Sequence, residues 1–192
     1  PWTLPSNTAL TVGIKINYAL IKTYNLYTHK AINVIVAKDL IEKVFKSNFI
    51  EVKSEKELTF DSIKNIPYFI CENFTGKDIL EVKYNQLWDD APLPENNPQN
   101  AFRIISGDFV TTDEGTGIVH TAPTFGADDS LAAKNASPEV PPMLVYNELK
   151  ELVPLVDLQG KFLNTLKGIG GKYVKNEYYE SGFEPDKSCL LY

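Results

Sequence analysis

The sequence predicts a mixed α/β fold, a β-barrel-like core with peripheral helices, forming a single domain over residues 1–192. Three observations lead there. The first third is made of short runs rich in β-branched and aromatic residues, set apart by polar breaks. Helical periodicity occurs only in short stretches. No repeat of solenoid or propeller period and no low-complexity tract competes with one core.

The expected strands are residues 9–15 (ALTVGIK), 18–24 (YALIKTY) and 31–37 (AINVIVA). Residues 38–45 (KDLIEKVF) then place Leu40, Ile41, Val44 and Phe45 on one side of a short helix. Residues 53–63 and 77–83 read as strand or loop, and residues 89–99 (DDAPLPENNPQ) as a proline-rich polar loop. Residues 101–105 and 108–112 read as strands broken at Ser106-Gly107, and residues 117–120 as a short apolar strand. Residues 128–136 (DDSLAAKNA) predict a helix capped by an acidic residue. A second proline-rich break follows at 137–142, then a stretch over 143–156 that fits strand or helix. Residues 168–172 (GIGGK) form a turn, and residues 173–182 fit a helix.

Composition narrows the function. At 192 residues the chain buries a core without staples, and its 43% hydrophobic and 23% charged content is ordinary for a globular protein. A net charge of −6 argues against gripping a nucleic-acid duplex alone, yet leaves room for a pocket that holds one nucleotide end. No apolar run approaches the roughly 18 residues of a membrane span. PWTLPSNTAL lacks the basic and apolar regions of a signal peptide, so a cytoplasmic protein is expected. Cys71 and Cys189, far apart, read as two reduced thiols. The chain opens on Pro1, which reads as a piece of something longer.

Candidate chemistry is confined by scarcity. Of the 2 histidines, His29 reads as a solvated loop residue. His120 ends an apolar strand entered through Gly115 and Gly117, which flank Thr116, and Asp128 and Asp129 follow within nine residues. Glycines there let backbone approach a ligand closely, although GTG is neither GxGxxG nor a phosphate-binding loop. One reading is a pocket wall with His120 at the strand end and a carboxylate for an ammonium group at the mouth of the next helix. The other is a tight strand-to-helix turn with Asp128 as N-cap. Residues 1–7 carry the same choice: a two-proline turn, or Thr3 and Asn7 bonding into a pocket with Trp2 as a flat wall. Asp89-Asp90 and Asp113-Glu114 read as solvated loops, and the 10 tyrosines as core or barrel-wall residues. Neither a GxSxG elbow nor a histidine or cysteine partner for a metal is present.

Taken together, PWTLPSN at residues 1–7 and GTGIVHTAPTFGADD at residues 115–129 resemble the two signatures of the editing (CP1) domain of class I aminoacyl-tRNA synthetases. Within that class the wording resembles isoleucyl enzymes, because leucyl and valyl relatives carry an arginine-proline pair in place of Pro1-Trp2-Thr3. Leucyl relatives also lack the histidine at His120. The resemblance implies hydrolysis of valine misattached to isoleucine tRNA, and of valyl-adenylate. Asp129 would hold the α-ammonium and act with Thr3 in catalysis. His120 would set the size of the pocket, with Trp2 and Asn7 supporting it. The backbone of Gly115, Thr116 and Gly117 would lie near the terminal adenosine.

The partners implied are the 3′ end of isoleucine tRNA carrying valine and the rest of the synthetase chain, in a monomer with no membrane association. Editing implies no cofactor and no metal. ATP and Mg2+ would serve only the synthetic domain of the parent enzyme, whose HIGH and KMSKS signatures this sequence lacks. The family's first signature also has threonines ahead of its proline, which this chain, starting at Pro1, does not carry. The alternatives are a non-catalytic tRNA-docking module and an editing domain of a valyl or leucyl synthetase.

Overall fold

A computed structural model describes residues 3–88 and 90–175. The chain divides into two compact units. One comprises residues 1–10, 81–105 and 120–192, and the other residues 11–80 and 106–119. The fold is mixed, as expected, with sheets and few helices. Its described strands form sheets of three, four and two strands rather than a closed barrel.

The second unit contains the four-stranded sheet, in the order β3-β2-β5-β4. Strand β2 (Asn17–Tyr24) alternates buried and less buried side chains and pairs antiparallel with β3 (Ala31–Ala37), Tyr18 opposite Ala37. On its other edge β2 pairs antiparallel with β5 (Ile66–Thr75), with a register shift between Leu20 and Ile21. The short β4 (Phe49–Glu51) runs parallel to β5. Ten-residue β5 was not expected: Pro67 and the polar Glu72 and Asn73 blur its alternation. The helix expected over residues 38–45 is a 3-10 turn, Lys38–Leu40, followed by α1 (Ile41–Val44). Leu40, Ile41 and Phe45 are buried as the spacing requires, and Phe45 stacks on Tyr68 at 4.7 Å between ring centres.

Residues 108–112 do not form the expected strand; Asp108 and Phe109 make a turn, and only Val110 is buried. The segment after it is held by Ala37 N–H donating to the Thr116 carbonyl at 2.8 Å and by the Tyr18 hydroxyl donating to the Gly117 carbonyl at 2.6 Å. Burial pushes the Tyr18 hydroxyl's ionisation up, so it stays a donor. Gly117 has φ +75, and a Cβ there would lie 2.4 Å from the Ala37 Cβ.

The three-stranded sheet has the order β6-β1-β7, from β1 (Ala9–Val12), β6 (Arg103–Ser106) and β7 (Ile118–Thr121). The chain passes from one unit to the other inside each of these strands. In the first unit, the ambiguous 143–156 stretch is a hairpin of β8 (Leu144–Tyr146) and β9 (Leu152–Pro154). Met143, Val145, Leu155, Val156, Phe162, Leu166 and Val174 form its core, with Trp88 and Phe102 packed against them. Arg103, 2% exposed, is satisfied by the Glu81 carboxylate and the carbonyls of Asn100 and Pro138. Of the expected 173–182 helix, Tyr173 forms an isolated bridge with Lys161, and residues from 176 on lie outside the described residues. No helix among the described residues is long and apolar enough to cross a membrane.

Gly115 and Gly117 separate strain from crowding. Both have positive φ, but a Cβ at Gly115 meets nothing within 4 Å. Gly115→Ala is expected to cost about 1–2 kcal/mol of strain, and Gly117→Ala about 2–5 kcal/mol, because overpacking against Ala37 adds to it. Urea unfolding checks this: the Gly117→Ala midpoint must fall below that of Gly115→Ala with a similar slope.

Candidate active site

The first signature segment and residues 120–129 of the second lie in the first unit. Around Pro5 the chain makes a 3-10 turn, Leu4–Ser6, with Thr3 at its N-cap. The Thr3 side chain makes no capping bond, so its hydroxyl is left for other partners. Thr8 then binds the third strand: its N–H donates to the Thr121 carbonyl at 3.1 Å. This one ladder bond carries Thr3 and Asn7 to His120, which precedes Thr121 on β7.

His120 is half-buried and bonded at both ring nitrogens. Nε2 lies 3.2 Å from Thr3 Oγ1, and Nδ1 lies 2.9 Å from Asn7 Nδ2. The same Nδ2 donates to the Ala9 carbonyl at 2.9 Å. A carbonyl only accepts, so the Asn7 amide must present its nitrogen on this side. Its second hydrogen then faces Nδ1, which must accept. The ring is therefore neutral, with its proton on Nε2 donating to Thr3. Electrostatics agree: burial lowers the His120 pKa below the ordinary imidazole value, and the Asp129 carboxylate opposes that only in part.

Asp129 lies in the first turn of α2 (Ala127–Asn135). The helix expected over residues 128–136 thus starts one residue earlier, and its N-cap is Gly126, not an acidic residue. No side chain caps it. Asp129 instead folds back, and its Oδ2 accepts the Ala122 N–H at 2.8 Å. A Cβ on Gly126 would lie 2.8 Å from Asp129 Cγ, so the glycine makes the room that this fold-back needs. The carboxylate is half-buried. Asp128 in the same turn is exposed.

The structure thus brings Thr3, Asn7, His120 and Asp129 into one unit. Gly115, Thr116 and Gly117 belong to the other, where Gly117 has the packing duty against Ala37. Trp2 lies outside the described residues. His29 stacks on Phe60 at 4.8 Å. No group of three or more histidine, cysteine or acidic side chains able to hold a metal occurs among the described residues.

Sequence reasoning missed Tyr84. Its hydroxyl donates to Asn7 Oδ1 at 2.5 Å. Residues 81–84 run beside 102–104 through Glu81 N–H to the Ile104 carbonyl and Tyr84 N–H to the Phe102 carbonyl, both 2.9 Å. Phe102 N–H in turn donates to the Thr8 carbonyl at 2.7 Å. No local pattern marks one tyrosine of 10 for this contact.

Relatives place the chain in a class. It is 41% identical to the isoleucine--tRNA ligase of Bacteroides fragilis, across 98% of this chain and 17% of the relative. The corresponding ligase of Cytophaga hutchinsonii is 43% identical across 93% of this chain and 15% of its own length. The cytoplasmic isoleucine--tRNA ligase of Saccharomyces cerevisiae is 34% identical across 92% of this chain and 14% of its own length. A solved structure, "The crystal structure of GlLeuRS-CP1", superposes with a TM-score of 0.44 at 20% identity over 70% of this chain and 41% of that one. No family model matches. These proteins are aminoacyl-tRNA synthetases. Within that class the chain belongs to the isoleucine--tRNA ligases, and it spans about 17% of the length of the Bacteroides relative.

The buried imidazole makes stability pH-dependent with a definite sign. A depressed folded-state pKa means that the unfolded chain binds more protons near pH 6.5, so stability rises with pH there. The contribution is intact above about pH 6.5 and is lost as pH falls from there through the lower folded value. Melting temperatures of the wild type and His120→Gln, measured across this window, are expected to show the wild type losing more on acidification. Parallel curves would contradict the neutral, buried assignment.

Proposed function

We propose that this chain is the editing domain of an isoleucine--tRNA ligase and hydrolyses valine misattached to isoleucine tRNA, and valyl-adenylate as well. The observation that carries the reading is the meeting of the two signatures: Thr3 and Asn7 bond to the His120 ring, and Asp129 presents a carboxylate from the same unit. The isoleucine--tRNA ligase relatives support it.

The need for a second site is general. A hydrophobic pocket distinguishes one methylene by only ~1–3 kcal/mol; isoleucine against valine is the standing illustration of that limit, not a result of this structure. A site that admits the smaller side chain and excludes the larger solves it by steric exclusion. In this reading Asp129 binds the α-ammonium. His120, a fixed neutral ring, forms the wall that excludes the extra methylene. Thr3 lines the pocket and positions the attacking water. Gly115, Thr116 and Gly117 serve the terminal adenosine.

Water adds to the ester carbonyl, and the bond to the ribose oxygen breaks. The ribose oxygen takes up a proton, releasing valine and free tRNA. Positioning and charge stabilisation suffice for such a step, without a protein nucleophile. The partners are the charged 3′ end of the tRNA and the rest of the synthetase chain, as a monomer. The name of the yeast relative supports a cytoplasmic location.

Asp129→Asn tests this in the parent enzyme, because the amide oxygen still accepts from Ala122 N–H while the charge is gone. Loss of a charge-assisted bond is worth ~1.5–3 kcal/mol, so valine release should fall about 10- to 150-fold with the fold intact. His120→Ala should begin to release isoleucine from correctly charged tRNA. Measured deacylation of both charged tRNAs decides: an unchanged rate in Asp129→Asn removes the ammonium role, and intact discrimination in His120→Ala removes the sieve.

A further inference from the structure

The hairpin of β8 and β9 is apolar on both faces. Val145 and Val153 oppose each other, and Val145 enters the core with Met143 and Leu155. The alternate positions, Leu144 opposite Pro154 and Tyr146 opposite Leu152, share the other face. An antiparallel pair with one solvated face ordinarily carries polar residues there. Here Tyr146 is 50% and Leu152 39% exposed. At the turn between the strands Leu149 is 78% exposed and borders a groove of about 250 Å³ that Leu163, Asn164 and Thr165 also line. The turn that displays Leu149 is fixed. Asn147 Oδ1 accepts the N–H groups of Leu149 and Glu151, both at 2.9 Å, and its Nδ2 donates to the Glu151 carboxylate at 3.0 Å. Lys150 holds φ +60, in the left-handed region that side chains rarely adopt. The hairpin is also anchored at its flanks: Glu95 N–H donates to the Leu144 carbonyl at 2.9 Å, and Leu163 N–H to the Leu155 carbonyl at 3.0 Å.

We propose that this apolar face, with Leu149 at its tip, is the surface on which the rest of the ligase chain docks. The proposal rests on the chain being part of a longer isoleucine--tRNA ligase, not on the editing chemistry. The Bacteroides relative aligns over 98% of this chain, yet that is only 17% of its own length, so most of such a ligase is polypeptide outside these residues. A contiguous apolar face marks a contact with protein. One presented on a fixed turn loses little conformational entropy on docking. Charge disfavours the tRNA as the occupant. The charged side chains of the turn are Glu148, Lys150 and Glu151, two carboxylates to one ammonium, whereas a phosphate backbone is met by a basic surplus.

The test is photo-crosslinking in the purified full-length ligase, with a benzophenone amino acid in place of Leu149 or of Tyr146. Both side chains are at least half exposed, so the replacement leaves the core intact. Mass spectrometry is expected to find the label joined to a peptide of the same ligase chain outside these 192 residues, at the mass of a single chain. Leu149→Asp is expected to cut the crosslink from position 146 several-fold. Tyr27→Asp, at a side chain 86% exposed in the other unit, should leave it unchanged. A product at the mass of two chains makes the face a contact between copies, and one that forms only with tRNA makes it an RNA contact. Crosslinks confined to these residues, or none, leave the face bare. Each of these outcomes overturns the proposal, and so does a position-146 yield that Leu149→Asp leaves untouched. Valine release is measured separately on the unlabelled enzyme: its absence removes the editing reading and leaves the docking result standing.

Discussion

The side-chain amide of Asn7 is the constraint on which the site depends. Its nitrogen is fixed by a main-chain carbonyl two residues on, which cannot change roles. That single fact sets which nitrogen of His120 carries the proton, and so what the ring offers Thr3. A histidine bonded on both sides in this way is a poor general base, since protonating Nδ1 would set two donors against each other. The depressed pKa from burial points the same way.

The carboxylate side is built by an equally local device. Helix α2 has Gly126 at its N-cap and so no side-chain capping bond, where Ser, Thr, Asp or Asn would supply one. Here the acidic side chain that would serve as cap is one turn inside the helix and reaches back to Ala122. That bond ties the helix start to the strand end carrying His120, and the missing Cβ of Gly126 permits it. Asp129 also gains from the positive end of the helix.

Much of the fold was legible. β2 and β3 follow the expected runs to within a residue, because period-2 alternation of Val, Ile and Tyr is a strong local signal. The buried face of residues 38–45 was readable from Leu40, Ile41 and Phe45, although it closes as a 3-10 turn and a short helix. β5 escaped because its alternation is interrupted by Pro67 and by polar residues near its end. Residues 108–112 carried apolar Phe109 and Val110 as a strand signal, but Asp108 and Phe109 turn the chain instead. Three open sheets in place of a closed barrel are a matter of which edges pair, and no local run encodes that.

The sequence by itself determined the inventory: 2 histidines, two cysteines far apart in sequence, and two short segments whose wording resembles editing signatures. Only the tertiary structure decided that Asn7 and His120, 113 residues apart, share a hydrogen bond, and that Tyr84 completes it from a third segment. It also decided that Gly117 answers to Ala37. The physical reason is that protonation, tautomer and amide orientation are set by partners within about 3 Å, and those partners arrive through strand pairing across long separations, which composition and periodicity do not record.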